Sequence, residues 1–239
     1  MSIPRIHVAQ HLAEGAEVAL TPAQAHHLGV VLRRASGAEL HAFNAEDGEF
    51  AARLATLRKD RGSVRIGPLR RMPQPEPEIR ALIAALKREA MDWAVEKATE
   101  LGATRIIPVL TRRCVSERAN VERLTAIARA AAEQCERLSV PLVEAARPLH
   151  AILDAWDGAP LIAAAERRDA RPLHERLATL SSPCAFLVGP EGGFEAAELD
   201  DLARRPFVSL ASLGPRILRA ETALVAGLAA IMLSLDARN

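Results

Sequence analysis

The segment Met72-Pro73-Gln74-Pro75-Glu76-Pro77 divides the chain. Proline has no amide donor and a nearly fixed φ, so prolines at every second position stop both a helix and a strand ladder. The sequence before this break has a different rhythm from the sequence after it. Before it, short apolar segments at 38–43, 50–57 and 63–69 are separated by turn signals at Gly37, 44–48 and 60–62. That pattern predicts a small barrel of short strands, with a helix over 26–34 led in by Thr21-Pro22. After it, candidate strands at 79–86, 105–110, 161–165, 185–188 and 207–210 alternate with helical patterns at 89–101, 121–138, 195–204 and 221–234. Such alternation predicts an α/β domain, a mostly parallel sheet with helices on both faces. The reading is therefore a domain over 1–72, a linker over 73–78 and a larger domain over 79–239.

Composition narrows the class. With 49% hydrophobic residues, 239 residues suffice for a small and a medium core. No apolar run approaches the roughly 20 residues of a membrane helix, and the first residues lack the blocks of a signal peptide. A soluble, cytoplasmic protein with no membrane partner is expected. Cys114, Cys135 and Cys184 are widely separated, which favours buried reduced thiols, and neither they nor the seven histidines form a metal-ligand pattern. Trp93 and Trp156 read as core anchors, and His26 and His27 as packing or surface residues.

Net charge is +1, so the global field says nothing about nucleic acid. Its distribution says more. Residues 1–72 hold ten Lys and Arg against seven Asp and Glu, clustered at Arg33-Arg34 and at Arg58, Lys59, Arg61, Arg65, Arg70 and Arg71. Such a run is a solvated strand-and-turn face or an RNA contact. Of these residues, Arg33, Arg34, Arg58, Arg65 and Arg70 are the candidates for RNA. With no Tyr, 5 Phe and 2 Trp, contact to phosphate and shape is favoured over base stacking.

Two loops in the last third concentrate chemistry. In Phe186-Leu-Val-Gly-Pro-Glu-Gly-Gly-Phe194 an apolar strand enters a glycine-rich loop and then a helix. Without Cβ atoms, Gly189, Gly192 and Gly193 let the backbone turn sharply and let a ligand approach its amides. The loop matches neither phosphate-binding glycine motif, and a bare strand-to-helix turn would look similar. In Ser212-Leu-Gly-Pro-Arg-Ile-Leu-Arg-Ala-Glu-Thr-Ala223 a second turn precedes an apolar helix that Glu221 or Thr222 could cap. Arg219 is the best electrophilic group there, because a guanidinium stays charged and holds anions. Loops that follow parallel strands meet the rule that α/β sheets bind ligands beyond the carboxyl ends of their strands.

Four motifs in order give these loops a family. Met91-Asp-Trp-Ala-Val-Glu-Lys-Ala-Thr-Glu-Leu-Gly102, Ala132-Glu-Gln-Cys135, Gly189-Pro-Glu-Gly-Gly-Phe194 and Leu213-Gly-Pro-Arg-Ile-Leu-Arg-Ala-Glu-Thr-Ala223 closely resemble the bacterial RsmE family. Its members are 16S ribosomal RNA uracil-N3 methyltransferases of the SPOUT class. The early His26-His-Leu-Gly-Val-Val-Leu-Arg33 resembles that family's PUA-like RNA-binding domain. The resemblance implies a knotted SPOUT-type α/β catalytic domain behind a PUA-like β-barrel, S-adenosylmethionine as cofactor, a homodimer, and 16S ribosomal RNA or the small ribosomal subunit as partner. Carried over by motif, Gly189, Pro190, Glu191, Gly192, Gly193, Leu213, Gly214, Ile217 and Leu218 bind the cofactor, with the end of the 161–165 strand as a third wall. Arg219 and Glu221 fall in the catalytic neighbourhood. Two departures stand out: Glu195, where relatives often have Ser or Thr, and Glu136, where they often have Gly. The alternatives are a ribose 2′-O-methyltransferase of the same class and a ribosome-assembly RNA-binding protein without catalysis.

Overall fold

The computed structural model describes residues 3–115, 119–165 and 170–237. The chain divides into two compact units, Met1–Pro75 with Ala132–Val140, and Glu76–Ala131 with Pro141–Asn239.

In the first unit, β1 (Arg5–His7), β2 (Glu17–Ala19), β3 (Glu39–Asn44), β4 (Gly48–Arg58) and β5 (Arg61–Arg71) form one sheet in the order β1-β3-β4-β5-β2. Only β1 and β3 are parallel. Alternation sends Leu40, Ala42, Ala52, Leu54, Val64 and Ile66 into a shared core with Ile6, Leu12 and Leu28. Helix α1 (Pro22–His26) starts on a capping box in which Thr21 Oγ1 accepts from the Gln24 amide and the Gln24 carboxamide accepts from the Thr21 amide. The helix expected over 26–34 thus begins earlier, at the Thr21-Pro22 signal itself. From His27 to Val31 the chain continues as a wider π-type turn, and Val30, Val31 and Leu32 end up exposed.

The last turn of a distant helix completes this unit. Helix α3 (Val121–Gln134) leaves carbonyls at its C-terminal end that no further turn can bond. The Arg5 guanidinium donates to the carbonyls of Ala132, Glu133 and Arg137 at 3.1, 2.9 and 3.0 Å. Arg71 donates to the carbonyl of Glu136. Glu49 holds both arginines, at 3.0 Å each. Burial alone would raise the Glu49 carboxyl, but the Arg5 hydrogen bond and the charges of Arg5, Arg71 and His41 outweigh it and hold the carboxyl below its ordinary range. Glu136 has φ 64°. That is the left-handed helix-terminating position where glycine is at home.

The second unit is a parallel sheet of eight strands: β6 (Ile79–Ala84), β7 (Arg105–Leu110), β8 (Leu142–Val143), β9 (Arg147–Pro148), β10 (Leu161–Ala164), β11 (Arg171–Pro172), β12 (Cys184–Val188) and β13 (Val208–Ser212). The order is β11-β13-β10-β12-β6-β7-β8, with β9 also on β7. Helices α2 (Arg88–Glu100), α4 (Leu149–Asp154), α5 (Leu173–Leu177), α6 (Ala196–Arg204) and α7 (Ala220–Asp236) belong to this unit, as does most of α3. The central strands are buried on both faces, hence the apolar runs of β6 and β12.

Two expectations need correction. Only Cys184 is a buried thiol, and burial pushes it up to about 11; Cys114 and Cys135 are part-exposed. Trp156 does pack against the core, stacked on Phe207, whereas Trp93 is 42% exposed because the inward face of α2 is taken by Met91, Ala94, Val95 and Ala98. Among the described residues no helix is long and apolar enough to cross a membrane.

Helix α7 packs on β12, α2 and α5. Gly227 makes that approach possible, since a Cβ there would lie 2.0 Å from the fully buried ring of Phe186 on β12. Alanine is the better helix former by about 1 kcal/mol, yet forcing a methyl against an enclosed ring costs about 1–3 kcal/mol or more. Gly227→Ala should therefore lower the denaturation midpoint despite the gain in propensity. A variant as stable as the parent would show that α7 does not approach β12 this closely.

Candidate active site

The site is assembled by strand order. β10 lies between β12 and β13, in register Ala163↔Leu187 on one side and Ala164↔Ala211 on the other. All three strands run the same way, so the chain leaves them at one edge of the sheet, with the ends of β12 and β13 roughly 10 Å apart at the usual strand spacing. Leaving β10, the chain goes outward to β11; it then returns to β12 and crosses again to β13. This reversal of direction is what opens a crevice at the carboxyl ends of a parallel sheet. Of the expected third wall, Ala165 is in place, with its amide donating to Ala211 O at 3.0 Å, while 166–169 lie outside the described residues.

After β12, residues 190–193 form a tight turn closed by the Gly193 amide on Pro190 O at 2.9 Å. Gly193 has φ 68°, and a Cβ on Gly189 would stand 2.9 Å from the ring of Phe194. Gly193 is thus favoured by its backbone conformation and Gly189 by the ring that lies against it. Pro190 is buried, whereas Glu191 and Gly192 are exposed. Among the described residues, the amides of Glu191, Gly192 and Phe194 have no acceptor. Glu195 is the N-cap of α6, and its amide donates to Glu198 Oε2 at 2.9 Å. The departure from Ser or Thr therefore keeps a capped helix, with Glu198 supplying the return bond.

After β13, Ser212 Oγ accepts from the Gly214 amide at 3.2 Å, and Gly214 has φ 109°. Leu213 and Leu218 are part-buried, while Ile217 is 63% exposed. The amides of Arg216, Ile217 and Leu218 have no acceptor among the described residues. Neither Glu221 nor Thr222 caps α7. The N-cap is Arg219, with φ −64° and ψ 154°, and it offers no side-chain bond to the helix. Its exposed guanidinium makes no ion pair among the described residues. Glu221 sits in the first turn with Oε2 buried and without a hydrogen-bond partner there. A buried, unpartnered carboxylate oxygen is costly, by about 1–3 kcal/mol or more. A feature of that kind is usual where a ligand or substrate completes the bonding.

Among the described residues, six backbone donors without acceptors on two neighbouring loops, the N-terminus of a long helix, the buried Glu221 oxygen and the Arg219 guanidinium therefore lie at this edge. Backbone donors suit a ligand rich in hydrogen-bond acceptors. Among the described residues, no three His, Cys, Asp or Glu side chains cluster as ligands. Sequence reasoning missed Arg112 and Arg113, which reach this edge from the end of β7.

The arginines expected to bind RNA are all in the first unit, but the structure does not gather them into one cluster. Arg58 pairs with Arg61 across the β4–β5 turn, and Leu57 beside it packs under Gly29 of the turn that leads to Arg33 and Arg34. Arg65, by contrast, is engaged by Glu17 at 3.0 Å, and Arg70 lies further along β5.

This geometry has known counterparts. Residues 73–232 match the family model of the RNA methyltransferase domain. A ribosomal RNA small subunit methyltransferase E of Rickettsia conorii is 34% identical over 98% of this chain and 96% of its own length. The chain belongs to the ribosomal RNA small subunit methyltransferase E family. The Bacillus subtilis member of that family is 29% identical, covering 93% of this chain and 92% of its own. A crystal structure of the Neisseria gonorrhoeae family member, bound to S-adenosylmethionine, superposes with a TM-score of 0.86 at 29% identity over 98% of both chains. The two-part α/β architecture is thus that of the family along the whole chain.

Proposed function

We propose that the protein transfers a methyl group from S-adenosylmethionine to N3 of a uridine in 16S ribosomal RNA. The observation that carries this reading is the convergence of two glycine-bearing loops with free amides beside Arg219 and Glu221, in a chain of this family. The cofactor is the one bound by the Neisseria relative, and the substrate is the class named for the Rickettsia and Bacillus relatives.

The residues fit that cofactor. Gly189, Pro190, Glu191, Gly192 and Gly193 on one side, and Leu213, Gly214, Ile217 and Leu218 on the other, offer close backbone approach, free donors and part-buried apolar side chains. When bound, the cofactor supplies a methyl group already activated on a sulfonium, so positioning provides much of the catalysis. The uracil N3 must shed its proton before it forms the new N–C bond. The Glu221 carboxylate, with one oxygen unpartnered, takes that proton or fixes Arg219, and the Arg219 guanidinium stabilises the negative charge left on the uracil oxygens.

Three further parts belong to the same reading. The first unit binds RNA through phosphate contacts from Arg33, Arg34, Arg58, Arg65 and Arg70. The active form is a homodimer, supported by the exposed Trp93 and Leu233 on α2 and α7, which pack on each other. The working compartment is the cytoplasm, where ribosomal RNA is available.

Gly192→Val places a branched side chain on the cofactor loop at an exposed position. Affinity for S-adenosylmethionine should fall by more than about tenfold with the melting temperature unchanged. Parental affinity in the folded variant would remove this loop from the site. For Arg219, single-turnover methylation of 16S ribosomal RNA, with the product nucleoside identified by mass spectrometry, is the direct measurement. The parent should yield N3-methyluridine, Arg219→Lys should keep part of the rate, and Arg219→Ala should lose about a hundredfold or more. A ribose-methylated product, or near-parental turnover by the alanine variant, contradicts the assignment.

A further inference from the structure

The loop after β7 holds the glycine loop in place, although no sequence motif announces it. It begins as a compact turn: the Cys114 amide donates to Thr111 O at 3.2 Å, and the Thr111 amide and Oγ1 lie 3.3 and 3.2 Å from Cys114 Sγ. This turn fixes where Arg112 and Arg113 leave the sheet. The Arg112 amide donates to Glu198 Oε1 at 2.9 Å, while the other oxygen of the same carboxylate takes the Glu195 amide. Glu198 thereby ties the β7 loop to the start of α6. Arg113 reaches further. Its Nη1 donates to Gly192 O at 3.1 Å, and its Cβ and Cδ lie 3.4 and 3.5 Å from where a Cβ on Gly192 would be.

The Gly192–Gly193 peptide is consequently held at both ends, its carbonyl by Arg113 and its N–H by Pro190 O. Two adjacent glycines would otherwise sample many backbone states, and ordering them on binding would weaken any ligand. Glu195 also faces the arginines, at 3.5 Å from Arg112 and 3.9 Å from Arg113. Those pairs are exposed and long, so they contribute little. The hydrogen bond to Gly192 is the effective link.

We infer that Arg113 is a positioning residue that pre-sets the glycine loop for S-adenosylmethionine. The inference rests on the proposed cofactor site, but the clamp itself is a property of the free protein. Two measurements on the full chain test it: calorimetric titration with S-adenosylmethionine, and hydrogen exchange of the Gly193 amide without cofactor. Losing one such hydrogen bond corresponds to about a three- to tenfold loss of affinity. Arg113→Ala should show that loss together with faster Gly193 exchange and a parental melting temperature. Arg113→Lys, which keeps a donor of similar reach, should recover most of both. Arg112→Ala keeps its amide bond to Glu198 and should stay within about twofold of the parent. Parental affinity and parental Gly193 exchange in Arg113→Ala overturn the inference, as does an equal loss in Arg112→Ala, which would indicate a diffuse charge effect. Should the parent itself fail to bind S-adenosylmethionine, the cofactor reading falls, and the exchange comparison still decides whether Arg113 holds the loop.

Discussion

Strand β13 is inserted between two strands that are close in sequence. Ala211 pairs with Ala164 of β10 on one side and with Arg171 of β11 on the other. Helix α7, which follows β13, packs back on β12 beyond β10. The shared edge depends on this insertion of β13. Because β13 lies beside β10 rather than at the sheet edge, its exit loop comes next to that of β12, and Arg219, Glu221 and the glycine loop share one edge.

The two ends of this sheet use charge differently. At the opposite end Arg80 is buried, yet every need is met: it pairs with Glu78 at 2.7 Å and Asp157 at 2.8 Å and lies 5.2 Å over Trp156. Burial alone would lower Arg80, but its two carboxylate partners outweigh that and raise it. A satisfied network of this kind fixes structure and asks for no ligand. At the carboxyl end, amides and the Glu221 oxygen have no partner among the described residues. On the proposed function, the stability given up there serves binding.

Much of this was legible in the sequence. The long strands appear within one or two residues of their expected bounds, because apolar runs bounded by Gly and Pro leave few alternatives. Both loops were visible as glycine placed after apolar strands. The two-residue strands β8, β9 and β11 were not, since their pairing comes from neighbours and not from their own pattern. Nor was the union of the α3 terminus with the first unit. It rests on Arg5 reaching carbonyls 127 to 132 residues away, and a lone arginine near the start of a chain carries no sign of that. Arg113 escaped for the same reason, lying 79 residues from Gly192. Glycine loops announce themselves through local conformation, whereas side chains that hold them are found only once the strand order is known.

The central claim is that the loops after β12 and β13 form one cofactor site. Backbone amide resonances followed through a titration with S-adenosylmethionine test it most directly. The account predicts coupled shifts, with a single dissociation constant, at Gly192, Gly193 and Phe194 on one loop and at Ile217 and Leu218 on the other, while amides around Arg80 and Asp157 stay unmoved. Shifts confined to one loop, or centred on the Arg80 end of the sheet, would contradict it.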